Sequence, residues 1–377
     1  MKFFLKKTDK SSKARAGLLK TDHGEIETPV FMPVATKGFV KSILNKELNK
    51  TSNIILGNAY HLYFNPGIKI LYESGGLHSF MNWKKSILTD SGGYQVFSMK
   101  KINQITDEGV KFKSVIDGST HFFSPEKSME IQRFIGGDII MSFDDCPTFP
   151  CDFNTAKISM ERTFLWMNKC YFFLKKNPEF YNHKQSFFPV IQGSVYPELR
   201  ENFINKIYNS EMEIEGYAIG GLSLGEKKEK TYKIINLLTN KLPYKKPRYL
   251  MGVGEPSDIL EHISLGIDMF DCVIPTRNGR HGMLFTWNGI INIKNKKWKY
   301  DYSCIDKLGN SHVDKFYSKS YLRHLFISKD SIGKEIASIH NLFFYKNLLE
   351  KARFHIMNNN FSTWKNKMIP FLKNRLQ

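Results

Sequence analysis

Three aspartates each close a short apolar run: Asp90 ends 86–90, Asp144 ends 138–144 and Asp271 ends 266–271. Asn58, Gln192 and Gly221 close the runs 53–58, 187–192 and 216–221 in the same way. Paired carboxylates at such positions suit general acid–base and nucleophilic work, as at a glycosidic bond. Each residue taken singly also has an ordinary reading. Asp90 before Ser91-Gly92-Gly93 fits a turn, Asp144 a helix cap and Asp271 a buried ion pair. Tyr94 and Met251 fit a packed core as well as a site.

The runs themselves say what must hold these side chains. With 29–34 and 248–253 they number eight, and most lack polar alternation, as strands buried on both faces do. Helical signals lie between several of them. Ser124-Pro125-Glu126 supplies a cap and a first turn, with Gly136 as terminator. The segment 155–176 reads as helix, and Pro256-Ser257-Asp258 opens another that Gly266 ends. Eight strands alternating with helices predict an α/β fold, a (β/α)8 TIM barrel, whose working residues sit at the C-terminal strand ends. A doubly wound sheet shares the alternation, but no Gly-x-Gly-x-x-Gly follows an early strand. Beyond Asp271 the texture changes. Gly282 to Asn295 alternates like a hairpin, a basic stretch poor in aliphatic residues follows, and His340 to Asn360 reads as a closing helix. The expected organisation is a barrel over 1–281, an inserted basic subdomain over 282–338 and a closing helical segment over 339–377.

Composition limits the partners. The 377 residues are 41% hydrophobic, enough for a core, and exclude a disordered or collagen-like chain. The formal net charge of +19 favours a polyanion, nucleic acid first and an anionic membrane surface second. No run reaches the ~20 apolar residues that cross a bilayer. The N-terminus carries only Phe3-Phe4-Leu5, too short for a signal core. Five scattered cysteines do not form a disulfide framework, so a cytoplasmic location is expected.

The segment Phe270-Asp271-Cys272-Val273-Ile274-Pro275-Thr276-Arg277-Asn278-Gly279-Arg280 resembles the catalytic segment of tRNA-guanine transglycosylases (queuine tRNA-ribosyltransferases). In order along the chain, Gly57-Asn58-Ala59-Tyr60-His61-Leu62, Asp90-Ser91-Gly92-Gly93-Tyr94-Gln95, Phe143-Asp144-Asp145-Cys146, Gln192-Gly193, Tyr217 to Leu222 and Leu250-Met251-Gly252-Val253-Gly254 resemble further family motifs. The resemblance covers nearly the whole chain. It implies a TIM-barrel pentosyltransferase that exchanges the wobble guanine of G-U-N anticodon tRNAs for a 7-deazaguanine base, in queuosine biosynthesis. By the same resemblance Asp271 is the nucleophile and Asp90 the general acid/base. Asp144, Gln192 and the Gly221 backbone read the base edge, Tyr94 and Met251 cover its faces, and Ser91, Gly92 and Gly93 belong to the same substrate set. Gly252, Val253, Gly254, Glu255, Pro256, Ser257, Asp258, Thr276, Arg277, Asn278, Gly279 and Arg280 are implied to meet tRNA, and a homodimer is implied for the chain. Lys294, Lys296, Lys297, Lys299 and Lys307 could follow its phosphates. Cys146 and Leu224 resemble the bacterial-type pocket for 7-aminomethyl-7-deazaguanine.

Three departures stand out. Where the family has Cys-x-Cys-x-x-Cys and a histidine around zinc, this sequence has Gly309, Ser311, Asp314 and His340, so the zinc site is expected to be lost and no cofactor is expected. Ser194 stands for a usual second glycine after Gln192-Gly193, and Asp145 for a commoner glutamate. An alternative is a tRNA-binding member with impaired or no catalysis, or a non-catalytic subunit; a glycosidase-like barrel is a third.

Overall fold

The computed structural model describes residues 1–98, 102–114 and 118–376. Two all-parallel sheets hold the functional strand ends. One runs in the order Ser186–Phe188, Ile139–Met141, Ser86–Asp90, Ile54–Asn58. The other runs Val190–Ile191, Tyr217–Ile219, Arg248–Leu250, Met269–Cys272, Val30–Pro33. Pro189 separates the first strands of the two sheets, having no N–H to give to a ladder. Val34 bridges Leu56 between the opposite edges. Seven of the eight expected runs are shorter as strands than as apolar segments; the strands Ile139–Met141, Tyr217–Ile219 and Arg248–Leu250 stop before their polar ends.

Side-chain alternation divides the core. Met32, Ile54, Leu56, Leu88, Ile139, Met141, Phe188, Val190, Ala218, Tyr249 and Met269, from all nine strands, pack as one cluster. Their chain neighbours Ile55, Ile87, Ile140 and Ile219 belong to another, packed beneath the helices. Burial on both faces explains why the sequence runs without polar alternation.

The expected caps are in place. Ser124 accepts from the Lys127 N–H, helix Pro125–Ile135 follows, and Gly136 ends it at φ 73°. Helix Phe153–Lys176 begins on the Asp152 cap, and Pro256–Ser264 precedes Gly266 at φ 94°. Three-stranded antiparallel sheets that the sequence did not announce lie at Lys2–Thr8, Arg15–Thr21, Gly24–Thr28 and at Ile102–Thr106, Gly109–Lys113, Thr120–Phe123.

Beyond the last parallel strand, the hairpin forms as Met283–Thr286 and Gly289–Asn292, and Arg375–Leu376 returns to pair with it. The final helices differ from expectation. A single helix, Ser331–Met357, spans the expected boundary at 338/339 and ends before Asn360. Its first half packs into the small core of Leu284, Ile291, Trp298, Ile305, Val313 and Leu322, and its second half into the main core. One rigid helix therefore ties the basic segment to the strands. Gly279 lets helix Ile274–Arg280 dock on it, since a Cβ there would lie 3.0 Å from Ala337 backbone. Asn341 fastens the junction by donating to the Pro275 and Met283 carbonyls at 2.8 and 3.0 Å. Among the described residues no helix is long and apolar enough to cross a membrane.

Candidate active site

Asp90, Asp144, Gln192, Gly221, Met251 and Asp271 come from six strand ends and line one cavity of about 290 Å3. Tyr94, Cys146 and Leu224 are also part of its wall. Ser91, Gly92 and Gly93 do not line it; they shape the backbone beside it. Buried Ser91 donates to Asp144 Oδ1 at 3.4 Å and accepts the Gly93 N–H at 3.3 Å. A Cβ at Gly93 would lie 2.7 Å from Asp144 Oδ1, so the turn needs glycine to approach that carboxylate. Gly221, at φ 66°, likewise leaves room for the Gln192 amide.

The three carboxylates sit in different environments. Asp90 is 8% exposed, accepts from Asn58 Nδ2 at 3.0 Å and is also bonded by the Ser91 backbone. The other side of Asn58 caps the next helix by accepting the His61 N–H. Burial, reinforced by the charges of Asp144 and Asp271, pushes the Asp90 carboxyl up to about 7. That value suits a group that must both give and take a proton near neutrality. Asp144 is raised to about 6, again by burial, against the pull of the Gln192 amide donating at 2.8 Å. Asp271 is raised by burial but accepts from the Tyr249 hydroxyl at 2.6 Å and the Gly252 N–H at 2.8 Å. Both bonds settle on Oδ1 and fix the carboxylate. Gln192 Oε1 is buried without a hydrogen-bond partner, an acceptor kept for a ligand.

Two positioning groups went unnoticed in the sequence. Arg200 is fully buried and donates to the carbonyls of Ile191, Ser194 and Gly220 at 2.6, 2.9 and 2.8 Å. It ties together the strand ends that carry Gln192 and Gly221. Tyr249, inside an apolar run, needed a partner for its hydroxyl, and that requirement was the readable signal. The departures also have local explanations. Ser194 adopts φ 48°, the conformation a glycine would take without strain. Asp145 turns from the cavity to pair with Arg162 Nη1 at 2.6 Å.

A chemistry that displaces one planar base by another at a sugar carbon fits this arrangement of acids and amide. The chain's relatives decide the family. A profile of the family described as Queuine tRNA-ribosyltransferase matches residues 9–373. The chain belongs to that family. It is 46% identical over 354 residues to the queuine tRNA-ribosyltransferase of Caldanaerobacter subterraneus subsp. tengcongensis, covering 94% of this chain and 92% of that one. It is 46% identical over 371 residues to that of Natranaerobius thermophilus, with 98% of both covered, and 44% identical over 376 residues to that of Aquifex aeolicus, covering 97% and 98%.

The residues that the family resemblance assigned to tRNA divide by exposure. Gly252, Glu255 and Arg277 are exposed, while Asp258, Asn278 and Arg280 are partly so. Val253, Gly254, Pro256, Ser257, Thr276 and Gly279 are buried and act as scaffold. Asp258 is already engaged by Lys228 at 2.6 Å, and the Gly254 carbonyl accepts from the Tyr345 hydroxyl. Arg280 Nη1 is buried without a hydrogen-bond partner. Lys294, Lys296, Lys297, Lys299 and Lys307 are all exposed.

The four positions of the family's zinc set do converge, but with different chemistry. Gly309 and Ser311 offer no thiolate. His340 Nδ1 is hydrogen-bonded to Asp314 Oδ1, and its Nε2 to the Phe285 carbonyl at 2.8 Å, so neither ring nitrogen is available. Ser311 and Asp314 close a capping box on helix His312–Phe316. Burial alone would lower the His340 imidazole, yet the Asp314 bond and charge hold it above its ordinary value; Asp314 is held below its own. These residues do not fit a tetrahedral zinc.

Proposed function

We infer that this protein is a tRNA-guanine transglycosylase of queuosine biosynthesis, a pentosyltransferase that exchanges the wobble guanine of G-U-N tRNAs for 7-aminomethyl-7-deazaguanine. The observation that carries the reading is that Asp90 and Asp271, distant in sequence, share one cavity with Asp144 and Gln192. In the first half, a carboxylate oxygen of Asp271 forms a bond to ribose C1′ as the C1′–N9 bond breaks. The electron pair leaves with guanine, and neutral Asp90 supplies its proton. In the second half, ionised Asp90 takes the N9 proton of the incoming base, whose nitrogen forms the new bond to C1′ and releases Asp271. Exclusion of water from the cavity keeps the intermediate from hydrolysis.

Asp144 and Gln192 accept from the base's N–H edge while Tyr94 and Met251 cover its faces. Cys146, whose thiol burial pushes up and keeps neutral, and Leu224 leave room for a small 7-substituent. Replacing Asp144 by Ala removes a charged acceptor. It is expected to raise KM for the base about 10- to 100-fold, with unchanged tRNA binding in a filter assay. Incorporation of labelled guanine into a G-U-N tRNA is the direct test of the activity as a whole.

The architecture is read as one closed eight-stranded barrel. It is supported by the Val34–Leu56 bridge and by the single cluster filled from both sheets. The surface around Arg277, Arg280 and the exposed lysines suits tRNA, and a cytoplasmic location follows from that substrate. Exposed Tyr300, Tyr302, Leu308 and Phe316 on the basic segment support a second copy of the chain there, giving the homodimer. In place of zinc, that segment is held by the Asp314–His340 pair and its own apolar core. Asp314→Ala is then expected to lower unfolding free energy by roughly 3 kcal/mol at pH 7, because it leaves a buried imidazole without its counterion. Denaturant titration reads the effect; loss of bound metal on this substitution would contradict the zinc-free reading.

A further inference from the structure

A second group of titratable side chains lies at the other ends of the strands, outside the base-exchange site. Asp138 immediately precedes the strand Ile139–Met141, whereas Asp144 follows it. Three histidines from separate segments gather beside Asp138. His23 stands in the turn between Arg15–Thr21 and Gly24–Thr28, His78 in helix Gly76–Met81, and His183 ahead of Ser186–Phe188. His23 stacks on His78 with ring centroids 3.7 Å apart and meets His183 edge-on at 4.6 Å.

Each imidazole has one nitrogen tied down. His23 Nδ1 lies 2.8 Å from Asp138 Oδ1, His78 Nδ1 is 3.0 Å from the Trp83 carbonyl, and His183 Nε2 is 2.9 Å from the Gly136 carbonyl. A carbonyl or an ionised carboxylate can only accept, so each tied nitrogen carries the hydrogen. The opposite nitrogen of each neutral ring is left with a lone pair. This is the arrangement that metal-ligating histidines show, with the second nitrogen donating to a carboxylate or backbone carbonyl. His78 Nε2 is buried without a hydrogen-bond partner, although Asp138 Oδ2 lies 3.3 Å away. One ring nitrogen from each of the three histidines lies within 4.8 Å of the others. Three ligands on a tetrahedral ion stand about 3.3 Å apart, given bonds of ~2.05 Å. An ion must lie near the plane of each ring it binds, so the stacked His23 and His78 rings have to turn and all three nitrogens have to draw together; the side chains that move stand on a turn, a short helix and a loop.

We propose that His23, His78 and His183 form a binding site for a divalent transition metal of the zinc class, with Asp138 orienting His23. The side chains of His23 and His78 are 23% and 11% exposed, so an ion can enter and solvent can fill a fourth position. Asp138 is held below its ordinary range: burial opposes this, but the bond from His23 and the nearby His78 imidazole prevail, and its negative charge faces the site. A bound ion would clip three segments together where the strands begin. The proposal stands independently of the base-exchange reading.

The test is a Co2+ titration of the chelator-treated full chain, followed by visible absorption. The expected result is one Co2+ per chain with ligand-field bands, displaced by Zn2+ and not by Mg2+, and without the thiolate charge-transfer band that cysteine ligands would give. His78→Gln and His183→Gln should each weaken binding at least about 100-fold while guanine exchange stays at the wild-type rate. Asp314→Ala should leave the spectrum unchanged. The proposal is overturned if wild type binds no Co2+ or if both histidine variants, folded by circular dichroism, bind it as tightly as wild type.

Discussion

Replacing Asp271 by Asn is expected to lower guanine exchange by about 10,000-fold or more, the scale seen when a covalent nucleophile is removed. The amide keeps nearly the same shape. It removes the anionic oxygen that must form the bond to C1′ and that stabilises positive charge building on the ribose. The Tyr249 hydroxyl and Gly252 N–H both donate to Asp271 Oδ1, so an amide can orient its oxygen towards them with little disturbance. Stability should therefore change little, and tRNA affinity should stay within a few-fold of wild type. Single-turnover exchange of labelled guanine, together with thermal unfolding, separates lost chemistry from lost folding. An Asp271→Asn protein that is folded and exchanges guanine at more than a tenth of the wild-type rate would remove the carboxylate from the mechanism.

Asp90→Asn should reduce exchange about 100- to 10,000-fold and abolish its alkaline limb. The wild-type carboxyl lies at about 7, so its neutral form donates below that pH. Guanine release should fall tenfold per unit above it. The same shift has a stability counterpart with a definite sign. A carboxyl raised from 3.8 to about 7 favours the folded state fully below pH ~4, and that contribution is lost as pH rises through about 7. The neutral Asn cannot lose it. The substitution is expected to leave stability near wild type at pH 4 and to raise it at pH 8 by roughly 2–4 kcal/mol, from ~1.4 kcal/mol per unit. Unfolding free energies at the two pH values check this. A variant no more stable than wild type at pH 8 would show that burial of Asp90 carries no strain. Catalytic poise and folding stability oppose one another at this residue.

The strand ends were legible because the interior of a strand buried on both faces has little room for a carboxylate or a side-chain amide. Asp90, Asp144 and Gln192 could appear only where the apolar runs stop. The strands Tyr217–Ile219 and Arg248–Leu250 end before their apolar runs do, because the loops beyond them bury Leu222 and Val253 and so read as apolar too. The early start of helix Ser331–Met357 was not legible. Its first turns carry Gly333 and two serines, weak helix formers. Tertiary packing overrides that preference, as Gly333 fits closely against Leu325. Arg200 was hidden for a different reason. An arginine in a helix reads as a solvated charge, and only the fold shows three backbone carbonyls from two strand ends converging on it. The converging histidines are likewise invisible in the sequence, because a turn, a helix and a loop that are remote in the chain supply one each.

The central claim is that Asp271 carries the ribose covalently while one base leaves and another enters. Incubating the protein with a G-U-N tRNA in the absence of incoming base, denaturing, and mapping the cross-linked peptide by mass spectrometry tests it. The account predicts a protein–RNA adduct on Asp271, present in Asp144→Asn and missing from Asp271→Asn. An adduct on another side chain, or one that persists at full yield in Asp271→Asn, would contradict it.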